Sequence, residues 1–573
     1  MLVGIRAEDD IFTTPKKPQF SKYLLKRIKK QCFINKLGRK VSFLYLRAVF
    51  LEFDYVIVGA GSSGCVLANR LSADPSVRVA VIEAGGRDVS PWIHIPVGYF
   101  RTIKNPALNW MYRTEQDPGL NGRAINWPRG KTLGGSSSIN GLLYVRGQTQ
   151  DYDGWAQRGN SGWSWDDVLP YFKKSENWNG ADDGERGQNG PLEVNQSHSS
   201  WPIVDAWIEA AQAAGFSYNS DYNSGDQEGV SFFQQTAQNG LRCSAAKAYL
   251  KPVRRRDNLH ILTRALVENI TFEGRTATGI VITQGHKRQH IKARKEVILS
   301  AGAIGSPQLL MLSGIGVPDE LKDHGIEVLH ALSGVGKNLQ DHLQARPVYK
   351  VNLPTINTKT RGLLNHLSIG MQYTFKRSGP MTLAASLGTA FLKTRPELES
   401  PDIQFHIQPL SADDPTIEMH NFDAFTASVL QLRPQSTGEI LLKSANIKDH
   451  PAIHPNYLSE QVDQNTIVDG IRVARRICRH QPVSDMIETE YKPGPDVPDE
   501  DYDGLLDWAR QTSTTIYHPT GTCKMGQDPM AVVDETLRVH GLDRLRVVDC
   551  SIMPQIVSGN TNGQAIMIGE KAA

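Results

Sequence analysis

The residues that could do chemistry sit in a few short stretches. Gly59, Gly61 and Gly64 stand at G-x-G-x-x-G spacing in residues 59–64 (GAGSSG). The first glycine of such a set allows a tight turn, the second lets the backbone approach a pyrophosphate, and the third permits close packing of the helix that follows. That helix would begin at Ser62 and Ser63, where free N–H groups and a partial positive charge suit phosphate oxygens. Glu83 comes 19 residues after Gly64, placed to accept hydrogen bonds from an adenosine ribose. A second stretch, residues 129–147 (RGKTLGGSSSINGLLYVRG), holds Leu133, Gly134 and Gly135 ahead of three serines. A donor-rich loop without bulky side chains can lie against a flat heteroaromatic ring. Residues 302–316 (GAIGSPQLLMLSGIG) form another small-residue junction. Near the end, His518 stands in YHPTGTCKMG and Asn560 in SGNTN. An imidazole has an unperturbed pKa of about 6.5, so it can take a proton near neutrality.

These groups need elements to hold them. Residues 55–58 (YVIV) read as a buried parallel strand. Residues 65–71 read as a helix and 77–82 (VRVAVI) as a second strand that Glu83 closes. The glycine turn is thus in register with a complete β-α-β unit, which predicts dinucleotide binding. Residues 297–299 lead into the second glycine junction, and residues 259–263, 279–283 and 296–300 read as strands. Residues 155–176 read as helix, and 177–190 as a polar surface loop. In residues 347–434 the period changes to two, as in Ile403-Gln404-Phe405-His406-Ile407. That alternation predicts antiparallel strands with one face wet. It makes His406 a candidate for the substrate pocket.

At 573 residues the chain exceeds one ordinary domain. The expected fold is α/β: a Rossmann-like dinucleotide-binding domain interleaved with an α+β substrate domain built on an antiparallel sheet. Residues 53–346 would be mainly the first, with residues 155–230 lent to the second. Residues 347–514 would be mainly the second, and 515–573 a return to the first. Residues 1–50 hold twelve Lys or Arg against three Asp or Glu, while the whole chain is only +3, so the remainder is mildly acidic. No nucleic-acid footprint follows from that. Residues 1–52 read as a basic, disordered extension, with an organelle-targeting peptide or a membrane-surface arm as alternatives. The six cysteines form no C-x-x-C pair, so no metal site is signalled. No 18-residue apolar stretch and no secretory signal occur. A cytoplasmic location, or a peripheral one on the cytoplasmic membrane, is expected.

Four stretches together resemble the GMC (glucose–methanol–choline) oxidoreductase family. They are residues 130–140 (GKTLGGSSSIN), 302–316, 517–526 and 558–562, in family order over about nine tenths of the chain. The resemblance implies FAD, a choice the glycine motif cannot make unaided. It implies oxidation of a primary alcohol by hydride transfer to flavin N5, with electrons passed to a non-NAD acceptor such as a quinone. Choline oxidation, an oxygen-using oxidase and a lyase on the same scaffold are the alternatives. His518 matches the family's active-site histidine and Asn560 its second active-site position. Leu133, Gly134, Asn140, Gly141, Val267, Asp549 and Thr561 match FAD contacts. Some members attach FAD through a histidine in the serine-rich loop. Ile139 stands there in this chain, which implies non-covalent FAD.

Overall fold

The apolar β-branched run of residues 55–58 belongs to a strand, Glu52–Val58, in the middle of a seven-stranded sheet. The computed structural model describes residues 51–181, 184–196, 201–413 and 418–573. Readings that concern residues 1–50 lie outside them. Along the sheet the strands run Leu259–Thr263, Val79–Glu83, Glu52–Val58, Lys287–Leu299, Thr276–Gln284 and Ala265–Glu273. Leu545–Val547 adds a parallel partner to the end of Lys287–Leu299. The first three are mutually parallel, and helix Ser62–Leu71 makes the crossover between two of them. Val56, Ile57, Val79, Ala80 and Val81 are wholly buried, as parallel strands covered on both faces require.

Two strands here depart from the sequence reading. Lys287–Leu299 is one long strand of which residues 296–300 predicted only the end. Its first half, KRQHIKARK, is charged, yet Ile291 and Ala293 are buried between exposed Lys292 and Arg294. Ala265–Glu273, at the edge of the sheet beyond Thr276–Gln284, is the second such strand, without a counterpart in the sequence reading. A break in register between Val267 and Asn269 interrupts its ladder with Thr276–Gln284.

The second sheet is antiparallel and eight-stranded, in the order Ile487–Lys492, Val348–Val351, Ala424–Gln431, Ile403–Gln408, Gly388–Leu392 and Gly229–Phe232. Leu343–Ala345 joins Ala424–Gln431 and pairs on its other side with Thr514–Thr515. The period of two is present, but in the central strands Gly388–Leu392, Ile403–Gln408 and Ala424–Gln431 neither face meets bulk solvent. Ala424–Gln431 is buried at every residue. Helices Pro202–Ala213 and Gln461–Cys478 cover one face, with the Trp207 and Phe405 rings 5.5 Å apart and Gly470 against Val429. The polar face, with Gln344, His406 and Gln408, turns into an internal cavity. Alternation distinguishes two faces but does not say whether the polar one meets water or a ligand.

The stretch 155–176 is two helices, Thr149–Gln157 and Trp165–Ser175. Gly159 and Gly162, both at positive φ, break it, and Ser164 with Asp167 caps the second helix. The last helix, Asn562–Ala572, is short but well fixed. Glu570 binds Arg70 and Lys174 and accepts from the Tyr249 hydroxyl, while Ser63 donates to Ala565 O. Among the described residues no helix is long and apolar enough to cross a membrane, and no His/Cys/Asp/Glu cluster could hold a metal.

Candidate active site

A cavity of about 840 Å³ runs between the two sheets. Gly59, Gly61, Ser62, Ser63, Glu83, Asn140, Gly141, Val267, Asp549 and Thr561 line it from the first sheet's side, and His406, His518 and Asn560 line it too. Gly64, Leu133 and Gly134 do not reach its wall. They hold the frame instead: a Cβ on Gly64 would come within 2.0 Å of Gly59 O, and Gly134 N donates to Ala60 O at 2.8 Å.

Several features suit a large anionic, aromatic ligand. Helix Ser62–Leu71 has no side-chain cap, so its first N–H groups face the cavity unclaimed by a side chain. Gly302, at φ +80°, opens onto space where an added Cβ would meet nothing. Polar atoms of three lining residues are buried with no partner in the protein: Arg129 Nε and Nη2, His406 Nε2 and Asn560 Oδ1. Buried polar groups are rarely left this way unless something else binds them. Glu83 accepts from Ala60 N and Gly85 N at 2.9 and 2.8 Å, yet burial lifts its carboxyl to about 7. Asp549 clamps the second glycine junction, accepting from Gly302 N, Ser306 Oγ and Ser551 N.

The histidine centre is built at the end of a short ladder. Thr514–Thr515 pairs with Leu343–Ala345, so His342 and His518 fall side by side just beyond it. Asp341 ties the turn down by accepting from His518 N and Thr515 Oγ1, both at 2.6 Å, and from the Tyr457 hydroxyl. Tyr517, at φ +72°, holds a left-handed conformation unusual for a bulky residue directly before His518.

The hydrogen bonds assign the tautomers. His342 Nε2 lies 2.9 Å from Leu432 O, which can only accept, so Nε2 carries the proton. His342 Nδ1 is then an acceptor, and His518 Nδ1–H donates to it across 2.9 Å. His518 Nε2 is left with its lone pair, 3.0 Å from the Asn560 amide nitrogen, which donates to it. Burial holds His342, His406 and His518 below the ordinary value, His342 to about 4 and His406 to about 3. His518 is pushed well down by burial and then by neighbouring His342, His406 and Arg129. The centre is therefore neutral at pH 7, with a base presented at Nε2.

Sequence reasoning placed His518, Asn560 and His406 on this cavity and missed His342, Asp341 and Arg129 as members of the site. Asp341 and His342 sit in an irregular stretch with no period, so no local signal singled them out. Arg129 stood at the edge of the serine-rich stretch, indistinguishable there from a surface cation. Arg242, also missed, is wholly buried and donates to Asn140 Oδ1, Asn140 O and Ser137 O, which fixes the serine-rich loop.

The chain is similar over most of its length to several known proteins. Family models described as GMC oxidoreductase match residues 53–344 and 434–569. An alcohol dehydrogenase [acceptor] of Pseudomonas putida is 44% identical over 529 residues, covering 91% of this chain and 95% of that protein. An oxygen-dependent choline dehydrogenase of Brucella anthropi is 41% identical over 525 residues, with coverage of 91% and 95%. The structure of a formate oxidase variant from Aspergillus oryzae RIB40, made to probe FAD modification, superposes with a TM-score of 0.85 at 27% identity, covering 91% of this chain and 97% of that one. With fold, motifs and relatives in agreement over most of its length, the chain belongs to the GMC oxidoreductase family, FAD-dependent enzymes that act on CH–OH donors such as alcohols and choline.

Proposed function

We propose that this enzyme oxidises a primary alcohol to the aldehyde, with His518 as the base and Asn560 as a donor to the same oxygen, and passes the electrons to a non-NAD acceptor such as a quinone. The observation that carries this reading is the chain of bonds from Leu432 O through His342 to His518, which leaves a basic lone pair on Nε2 inside the cavity. FAD, when bound, supplies the hydride acceptor. The turn Gly59–Ser63 would hold its pyrophosphate, Glu83 a ribose, the Val267 backbone the adenine, and Asn140 and Gly141 the ring's surroundings. Asp549 and Thr561 would complete the wall. Ile139 is buried and aliphatic where a covalent link would need a nucleophile, which supports non-covalent FAD.

An arriving hydroxyl would take Asn560's place at His518 Nε2. It would donate its proton there and accept from the Asn560 amide, which holds the developing alkoxide. Choline is the second reading, favoured by the Brucella relative.

Anaerobic reduction of the bound flavin with 1-alkanols, choline and sugars tests the proposal. Bleaching is expected with alkanols. Bleaching by no alcohol would sink the redox reading and favour the lyase. A His518→Ala enzyme that kept normal reduction rates would sink the assigned base.

A further inference from the structure

Helix Leu363–Lys376 turns its apolar stripe outward. Leu363, Leu364, Leu367, Met371 and Phe375 are all exposed, Leu364 and Phe375 at 81% and 82%. At 100° per residue they share an arc of roughly 120°. Tyr373, on the opposite side, is buried and donates to Gly240 O at 2.9 Å. The helix thus stands on the body by its other face and holds its apolar side in solvent. A contiguous exposed patch of this kind marks an interaction site.

Charge and position say what covers it. Lys359 and Arg361 precede the helix, Lys376 and Arg377 end it, and all four are exposed. No Asp or Glu occurs from residue 351 to 396, although the body of the chain is mildly acidic. Arg361, Gly362 and His366 are exposed and also line the cavity, so the cavity opens beside this helix. A stripe of Leu, Met and Phe with cations around it is the pattern of a helix lying in a membrane interface. A second copy of the chain fits less well. Five side chains of one helix fall short of the roughly 20–30 residues a side that a stable interface uses, and two basic rims would face each other.

We propose that helix Leu363–Lys376 docks the enzyme on an anionic lipid surface, with its apolar stripe among the acyl chains and its cations at the phosphates. The cavity then opens against the membrane. The corollary that the incoming alcohol and the electron acceptor are lipid-dissolved rests on the alcohol-oxidation reading; the docking itself does not.

The test uses the full-length holoenzyme and phosphatidylcholine vesicles with or without phosphatidylglycerol at about one part in three. Flotation should show binding to the anionic vesicles that weakens as salt rises. The double variant Leu364→Ser with Phe375→Ser should bind at least about tenfold more weakly, while its FAD content and its turnover of a short water-soluble alcohol stay unchanged. Equal vesicle binding by parent and variant would overturn the proposal, because the basic segment 1–50 would then be the anchor. A parent that is dimeric in sedimentation equilibrium and a variant that is monomeric would overturn it in favour of a second copy. Flavin bleaching by choline alone would overturn the alcohol reading and leave the docking result standing.

Discussion

Replacing His342 with leucine removes the acceptor that fixes the His518 tautomer. In the parent, His518 Nδ1–H donates to His342 Nδ1 at 2.9 Å, and His342 is itself locked by Leu432 O. With leucine, His518 keeps a buried donor without a partner, or moves its proton to Nε2 and stops being a base. An unpartnered buried donor costs about 1–3 kcal/mol. At about 1.36 kcal/mol per decade, that predicts flavin reduction slowed roughly 5- to 150-fold. A histidine base trapped wholly in the wrong tautomer sets a ceiling near 10⁴-fold. His342→Asn puts Oδ1 close to the lost Nδ1, so it should recover part of the rate. The assay is stopped-flow reduction of the bound flavin by saturating alcohol, read from pH 5 to 9, with FAD content measured for each variant. The parent's acid limb should lie below the ordinary histidine value of about 6.5, because protonating the depressed His518 destroys the base. Rates within twofold of the parent at every pH, with full FAD content, would refute the relay.

Asn560→Ala should lower the flavin-reduction rate by roughly 10²–10³ with little change in FAD content, as for other donors aimed at a developing oxyanion; stopped-flow and absorbance spectra check both. FAD should bind the apoprotein about tenfold more tightly at pH 8 than at pH 6, because the buried Glu83 carboxyl titrates near 7 and ribose hydroxyls need the ionised form. Glu83→Gln should flatten that dependence in a fluorescence titration. His342 and His406 stay neutral in the fold and become protonated on unfolding below about 6.5, so the unfolded chain binds more protons there. Stability should therefore be lost as pH falls, by about 2 kcal/mol for each group between pH 6.5 and 5. Glu83 titrates in the opposite sense, so the effect is read as the difference in Tm slope between the parent and His406→Asn; identical slopes would discard it.

Features of this fold that depend on local spacing were readable in the sequence. The glycine turn, its strands and Glu83 lie within about thirty residues and declare themselves by type and order. His518 and Asn560 were legible only because short motifs surround them. His342 was not, because its meaning is a contact with a residue 176 positions away. Lys287–Leu299 was concealed by charges on its outward face, which swamp the two buried residues between them. The outward stripe of Leu363–Lys376 has the composition of an ordinary buried face. Only the placement of Tyr373 on the opposite side shows which way it points.

The register of one small ladder explains why the centre is assembled as it is. Leu343 lies opposite Thr515, and Ile516 N donates to His342 O just past that pair. Because side chains alternate along a strand, a slip of one residue would send His342 to the other face and leave Nδ1 of His518 without an acceptor. Asp341 resists the slip by binding both Thr515 and the His518 backbone. Asn560 arrives from elsewhere, beyond strand Leu545–Val547 of the first sheet. The base is thus delivered by one sheet and its donor by the other, across a cavity whose remaining wall suits FAD. The neutral, correctly protonated pair exists only when both sheets are folded and seated. That coupling is why a substitution at His342, which need touch neither FAD nor alcohol, is expected to act on chemistry before it acts on binding.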